Sequence, residues 1–219
     1  LLSELPNHVT LLEIENATII NEYIQQGLPK FIKSKIVKYQ YWEAVKLLWF
    51  YLKSKYNKTI DSWEAIHNYI IPLKKEYDIA VAYAGPHEFI SYYIIEQIQA
   101  RTKIQWIHFD VNKIATNLDF GNFFYPKFDK IFCVSDNALQ AFNQNYPIAI
   151  NHSYVFRNIV DANHLLHLAS IGQGFQDVKN GLRILTIGRL STEKGQVMIP
   201  EIVQRLKRQN YQFKWYLIG

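Results

Sequence analysis

Arg189 and Lys194 stand five residues apart in the run Arg183-Ile-Leu-Thr-Ile-Gly-Arg-Leu-Ser-Thr-Glu-Lys-Gly195, a spacing suited to capturing an anion. Ile184 to Ile187 reads as a buried strand, Gly188 as a turn, and the residues beyond Lys194 as an amphipathic helix. A strand that delivers the chain to a helix N-terminus points backbone N–H groups and the positive dipole end at one spot. Arg and Lys add full charges there, enough to hold a diphosphate. The same two cations also fit a plainer role as solvated charges on a strand-to-helix loop, where basic residues are common.

The elements that would position such a site alternate. Val9 to Glu13, Ile79 to Tyr83, Lys103 to His108 and Lys130 to Val134 read as short apolar strands. Gln40 to Tyr56, His87 to Ala100 and Asp136 to Asn145 have helical periodicity, the last with Ser135 as its N-cap. Alternation of this kind predicts an α/β fold, a parallel sheet with helices on its faces. Ligands bind at the C-terminal ends of such strands. Three segments fall there: Tyr83-Ala-Gly-Pro-His87, Trp106-Ile-His-Phe-Asp110 and Ser135-Asp136. Gly85 permits close backbone approach and, with Pro86, stops its strand. His87 and Glu88 are placed to touch a ligand, but helix-start residues are usually solvated, and both are read that way. The loose stretch Ser170 to Asp177 places a domain boundary, giving a first domain over 1–168, a linker over 169–182 and a second domain opening over 183–219.

Composition permits this. The 219 residues are 49% apolar, enough to fill a core, and 24 basic against 19 acidic residues leave +5, a mild excess that suits phosphate-bearing ligands or an anionic membrane without demanding nucleic acid. The single cysteine, Cys133, reads as a small buried hydrophobe, and a cytoplasmic setting follows as the default. No segment approaches the ~20 apolar residues a spanning helix needs. The chain opens on Leu1 to Pro6, which reads as the last turns of a helix.

Gly188-Arg-Leu-Ser-Thr-Glu-Lys-Gly195 resembles, residue by residue, the Gly-Arg-Leu-x-x-Glu-Lys-Gly signature of family 4 glycosyltransferases. Trp106-Ile-His-Phe-Asp110 is similar to that family's Trp-x-His-x-Asp element, Phe132-Cys-Val-Ser135 to its strand ending in Val-Ser, and Arg157-Asn-Ile-Val-Asp161 to its Asn-x-x-Asp element. The likeness runs from about Tyr77 to Gly219 and fits the first 76 residues only loosely. It implies a GT-B fold, an N-terminal Rossmann-like domain on the acceptor side and the first strand-helix-strand of a second such domain that binds the nucleotide-sugar. The implied reaction is transfer of a sugar, hexosyl in type, from a nucleoside diphosphate to a hydroxyl, with retention. Cell-surface polysaccharide or glycoconjugate synthesis is the implied setting, and lipid-linked compounds are among the acceptors the resemblance implies.

Residue roles follow from the same resemblance. Arg189 and Lys194 would contact the donor diphosphate, and His108 would face the cleft as the catalytic residue, orienting sugar or acceptor by hydrogen bonds. A structural hydrogen bond is the competing role for His108. Asp110 either bonds donor, acceptor or His108, or caps the next helix. Ser135 either reaches the cleft or satisfies backbone donors at its strand end. No Asp-x-Asp and no metal-ligand cluster occurs, so no cofactor is expected, and cations and helix dipole would stabilise the leaving diphosphate in place of a metal ion. A Walker-type Gly-x-x-x-x-Gly-Lys-[Ser/Thr] is absent, Asp119-Phe-Gly121 has no kinase catalytic loop before it, and Gly172-Gln-Gly174 lacks a strand before it.

The family's Glu-x7-Glu element and its first strand with a glycine-rich loop have no counterpart, so the chain is expected to be a fragment that does not complete a donor site or turn over. Two other readings remain open: a non-catalytic GT-B module that docks a partner or membrane, and a GT-B-like sugar epimerase. Between Lys30 and Lys58 eight lysines (30, 33, 35, 38, 46, 53, 55 and 58) face one acid, Glu43, among Trp42, Trp49, Phe50 and tyrosines. That pattern suits a peripheral helix on an anionic membrane, or a helix packing Trp42, Val45, Leu48 and Trp49 on the sheet with its lysines in water.

Overall fold

β-branched and aromatic runs of strand length, separated by helical segments, build a parallel sheet because each return crossing needs a helix. The computed structural model describes Pro6 and residues 8–56, 61–114, 116–178 and 180–219. It divides into two compact units, Leu1–Ile159 and Val160–Gly219, the division falling at Ile159 where the sequence reading ended its first domain at 168. The helix expected over Leu1 to Pro6 and the lysine at 58 lie outside or at the margin of the described residues.

The first unit begins with three helices, α1 (Ala17–Val37), α2 (Tyr41–Tyr56) and α3 (Asp61–His67). Then β1 (Glu76–Gly85), α4 (Glu88–Gln97), β2 (Gln99–Ile107), α5 (Leu118–Phe124), β3 (Lys130–Cys133), α6 (Asp136–Asn145) and β4 (Ser153–Val155) alternate. The four strands form one parallel sheet in the order β1-β2-β3-β4. Strand side chains point to opposite faces in turn. Ala80, Ala82, Gln105, Ile107, Ile131 and Cys133 lie buried on one face, the last three against Phe142 and Tyr146. On the other, Ile79, Val81 and Tyr83 are exposed. Among the described residues of this unit, the helices pack on the first of these faces, where the alternation predicted helices on both. Among the described residues the opposite face is lined by an aromatic row, Tyr83, Trp106, Phe132 and Phe156, in mutual ring contact.

Helices α1 to α3 pack Tyr23, Phe31, Leu47, Trp63 and Ile66 into a second cluster with Phe89 and Tyr92 of α4. Helix α1 is interrupted at Gly27, whose φ of 70° lies in the left-handed region, two residues before Pro29. On α2 the buried residues are Ala44 and Leu47, while Trp42, Val45, Leu48 and Trp49 are exposed, so the expected packing of those four on the sheet does not occur. Val9 to Glu13 is not a strand. Its apolar residues Val9, Leu11 and Leu12 are exposed and pair with no strand among the described residues, and an apolar run without a ladder partner has no reason to stay extended in a sheet. The helix predicted over His87 to Ala100 ends at Gln97, because Gln99 and Ala100 are drawn into pairing with Glu76 and Tyr77.

The second unit holds α7 (Ala162–Ile171), β5 (Leu182–Ile187), α8 (Ile199–Arg208) and β6 (Phe213–Ile218), with β5 and β6 parallel and in register from Leu182↔Phe213 to Ile187↔Ile218. Asp161 caps α7 by accepting from the His164 N–H at 2.9 Å. Asp177 ties the preceding loop to both strands through Lys214, Tyr216 and Arg183, and the Lys214 hydrogen bond first among these holds its carboxyl down at about 2. Among the described residues no helix is long and apolar enough to cross a membrane.

The tightest backbone approach relevant to the site is at Gly85, where an added Cβ would collide with Gln105 Nε2 and the Trp106 carbonyl oxygen. Backbone oxygen cannot swing aside as a side-chain tip can. Gly85→Ala is therefore expected to cost about 1–3 kcal/mol, read as a lower urea midpoint with an unchanged slope; an unchanged midpoint would contradict the packing described.

Candidate functional site

The C-terminal ends of β1 and β2 are joined where the His108 N–H donates to the Gly85 carbonyl at 2.9 Å. That bond sets the imidazole beside Tyr83, edge to face with ring centroids 4.6 Å apart, and parallel to Trp106 at 6.3 Å. His108 Nε2 is buried and finds no hydrogen-bond partner among the described residues. A buried polar atom left unpaired is costly, and an absent ligand is one of the standard reasons for it.

The other residues singled out on this unit are engaged locally. Asp110 Oδ1 accepts from the Asn112 N–H at 3.0 Å, and its carboxylate lies 3.9 Å from Lys113 Nζ, so it shapes its own loop. Ser135 Oγ accepts from the Ala138 N–H at 3.2 Å as the N-cap of α6. Gly85 is spent on the approach of β1 to β2. No hydrogen bond joins His108 to Asp110 or Ser135 among the described residues.

Glu88 is the residue that sequence reasoning passed over as solvated. It opens α4 three residues beyond Gly85 and is partly buried, and its Oε2 accepts from the Trp63 indole N–H at 3.2 Å. Burial pushes its carboxyl above the ordinary range, against the lowering effects of the Trp63 hydrogen bond and of His87. An open cavity of about 440 Å³ lies beside it, walled by Tyr23, Gly27, Trp63, Pro86 and His87. Its partner Trp63 sits 25 residues upstream on α3, a contact no local spacing reveals. A separate cavity of about 500 Å³ near Phe50, His67, Glu96 and Lys127 lies at the far end of α4. Its charges are internally answered by the Lys127–Glu96 pair at 2.9 Å.

On the second unit the loop after β5 is built around two glycines. Gly188 has φ 148° and Gly195 φ 68°, both in the region that favours glycine. The Lys194 stem passes over Gly188, its Cγ 3.9 Å from where a Cβ would stand. Arg189 is exposed and pairs with Glu193 at 3.2 Å. Gln196 donates from Nε2 to the Gly188 carbonyl at 2.8 Å, while its Oε1 and the Ser191 hydroxyl are buried without partners among the described residues. The helix predicted directly after this loop starts later. Two 3₁₀ turns, Thr192–Lys194 and Gln196–Met198, intervene, and α8 begins at Ile199 with Pro200 in its first turn. Left-handed Gly195 breaks the helical path, so the N-terminal dipole lies further along the chain than the motif suggested.

No protein-family model matches the chain, and no curated protein matches it. The motif resemblance therefore stands on the quoted residues alone. Among the described residues no group of three or more His, Cys, Asp or Glu is arranged to hold a metal ion.

Glu88 gives a pH test. Its folded carboxyl binds the proton more tightly than the unfolded one, so the folded state loses stability as pH rises through and above the ordinary value of 4.5. Glu88→Gln keeps an acceptor for Trp63 and removes the charge. Urea unfolding measured across a pH series is expected to show this variant gaining on the parent as pH rises from about 4.5; a pH-independent difference would count against the buried setting of Glu88.

Proposed function

We propose that the chain carries the acceptor side and the diphosphate loop of a GT-B sugar transferase of the family 4 type. The observation that carries this reading is the Gly188 to Gln196 loop. It combines the family-like sequence, two cations at the end of a parallel strand, and two buried polar atoms, Ser191 Oγ and Gln196 Oε1, without partners among the described residues. In the proposed reaction the acceptor oxygen bonds to the anomeric carbon of a nucleoside-diphosphate sugar as the bond from that carbon to the diphosphate breaks, with retention. The acceptor hydroxyl proton leaves with a diphosphate oxygen.

Arg189 and Lys194 would take up the negative charge that develops on the departing diphosphate, Arg189 exchanging its exposed pairing with Glu193 for phosphate. This division of labour calls for no divalent ion. His108, with its unpaired Nε2, would hydrogen-bond the sugar or the acceptor. Glu88, held by Trp63 and facing a cavity on the same strand-end side, would accept from an acceptor hydroxyl. The acceptor is a hydroxyl compound, and nucleic acid has no place in this scheme.

Saturation-transfer NMR of the chain with a panel of uridine, guanosine and adenosine diphosphate sugars tests it. At least one is expected to bind, and Arg189→Ala or Lys194→Ala to weaken it by about tenfold to a hundredfold, the worth of one charge-assisted hydrogen bond. Both side chains are exposed, so the thermal midpoint is expected to hold. Absence of binding by every donor, or binding unchanged in both variants, would remove the basis of the reading.

A further inference from the structure

Helix α2 presents to solvent a face that a helix packed within a domain would bury. Tyr41, Trp42, Val45, Leu48, Trp49 and Leu52 recur at the three- and four-residue spacing of a single stripe, with Trp42 79% and Trp49 60% exposed. Lys46 and Lys53, two turns apart, run along one flank of that stripe, and both are exposed. The stripe is about 16 Å long, at 1.5 Å per residue. Its ring contacts are local, Trp49 with Phe50 at 5.2 Å and Tyr41 with Tyr39, and the helix is anchored from its opposite side by Ala44 and Leu47.

Charge decides what the face suits. The one acid of α2's first turn, Glu43, is half-exposed and committed to the buried Lys35 ammonium, 2.8 Å away, and to the Tyr69 hydroxyl, which donates at 2.7 Å. The Lys35 hydrogen bond, followed by that of Tyr69, lowers its carboxyl below the ordinary range, so it stays ionised and paired with Lys35. Glu43, its side chain 41% exposed, is thus committed to Lys35, Lys46 is exposed, and Lys53 has the Glu64 carboxylate of α3 beside it. Lys53 lies 5.7 Å from the Trp49 ring centroid and 3.6 Å from Glu64, a loose pairing that water or lipid phosphate can replace. Around the start of the helix stand the exposed rings of Tyr39 and Tyr41, 6.2 Å apart, next to Lys38, which is paired with Glu22 at 3.1 Å.

We infer that α2 is a membrane-surface helix, with Trp42, Trp49 and their aliphatic neighbours seated in the headgroup region of an anionic leaflet and Lys46 and Lys53 on its phosphates. Indole and phenol rings with an apolar body and a polar edge belong at that depth. Lysine stems reach back to the phosphates from an apolar stripe. A second copy of the chain suits the face less well, because it would bring exposed lysines together while the nearby acids, Glu43 and Glu64, are already paired with Lys35 and Lys53. The inference is independent of the proposed sugar transfer.

Co-sedimentation of the chain with vesicles of phosphatidylcholine alone, or of phosphatidylcholine with phosphatidylglycerol, decides it. Binding is expected to the acidic vesicles, to fall with added salt, and to weaken by about fivefold for each of Lys46→Gln and Lys53→Gln. Trp42→Ser combined with Trp49→Ser is expected to abolish binding while leaving the far-ultraviolet spectrum and thermal midpoint unchanged, since both rings are already in water. No binding to either vesicle, equal binding to both, or full binding by the double tryptophan variant would overturn the inference. So would a dimer that this variant converts to monomer with vesicle binding unaltered, which would assign the face to a second copy.

Discussion

The parallel pairing of β1 with β2, closed at its C-terminal end by Gly85, is the constraint on which the first unit depends. Register runs from Glu76↔Gln99 to Gly85↔Ile107, and the absence of a side chain at Gly85 lets the Gln105 amide and Trp106 carbonyl come close. Gln105 is itself fully buried and satisfied, accepting from Ser91 Oγ at 2.6 Å and donating to the Ala82 carbonyl at 3.1 Å. One buried amide therefore joins α4, β1 and β2. Side chains alternate faces along a strand, so a slip of one residue would carry Trp106 and His108 away from Tyr83 and put Gln105 on the open face. The position of Glu88 is set by the same closure, three residues further along.

Polar groups in the two units fall into those that are satisfied and those that are not. Asp110, Ser135, Asp161 and Asp177 are engaged with nearby backbone or with neighbouring cations. They shape loops and cap helices, and such local bonds are their whole energetic explanation. Atoms buried without partners among the described residues include His108 Nε2, Ser191 Oγ and Gln196 Oε1, in or beside the two segments whose wording is most family-like, and also Trp106 Nε1, Tyr93 Oη and His152 Nε2. Desolvation without a hydrogen bond is a cost that a fold does not accept without compensation.

The legible parts of the sequence were those governed by neighbours in the chain. Helix α6 runs over Asp136–Asn145 as its periodicity and Ser135 cap foretold, because cap and first turn lie within four residues of each other. The parallel α/β character followed from alternation, and Gly85 was read correctly as a point of close approach. Val9 to Glu13 has strand-like composition but no ladder partner, and hydrogen bonding to a neighbour is what makes a strand. On α2 the apolar stripe was visible, yet periodicity says only that a face is apolar, never what stands opposite it. Glu88 looked like a solvated helix-start carboxylate because Trp63, which makes it otherwise, is remote in sequence.

Sequence alone determined the α/β class, the position of the strand ends at His108, Ser135 and Gly188, and the paired cations Arg189 and Lys194 within a family-like motif. These rest on local propensity, on hydrophobic period and on residue identity, all of which are written along the chain. Tertiary structure decided which sheet face is covered, that Asp110 and Ser135 are committed to backbone, that Glu88 is desolvated, that α8 starts only at Ile199, and that α2 turns its tryptophans outward. Burial and pairing are sums over contacts between segments far apart in sequence, and no window along the chain contains both partners.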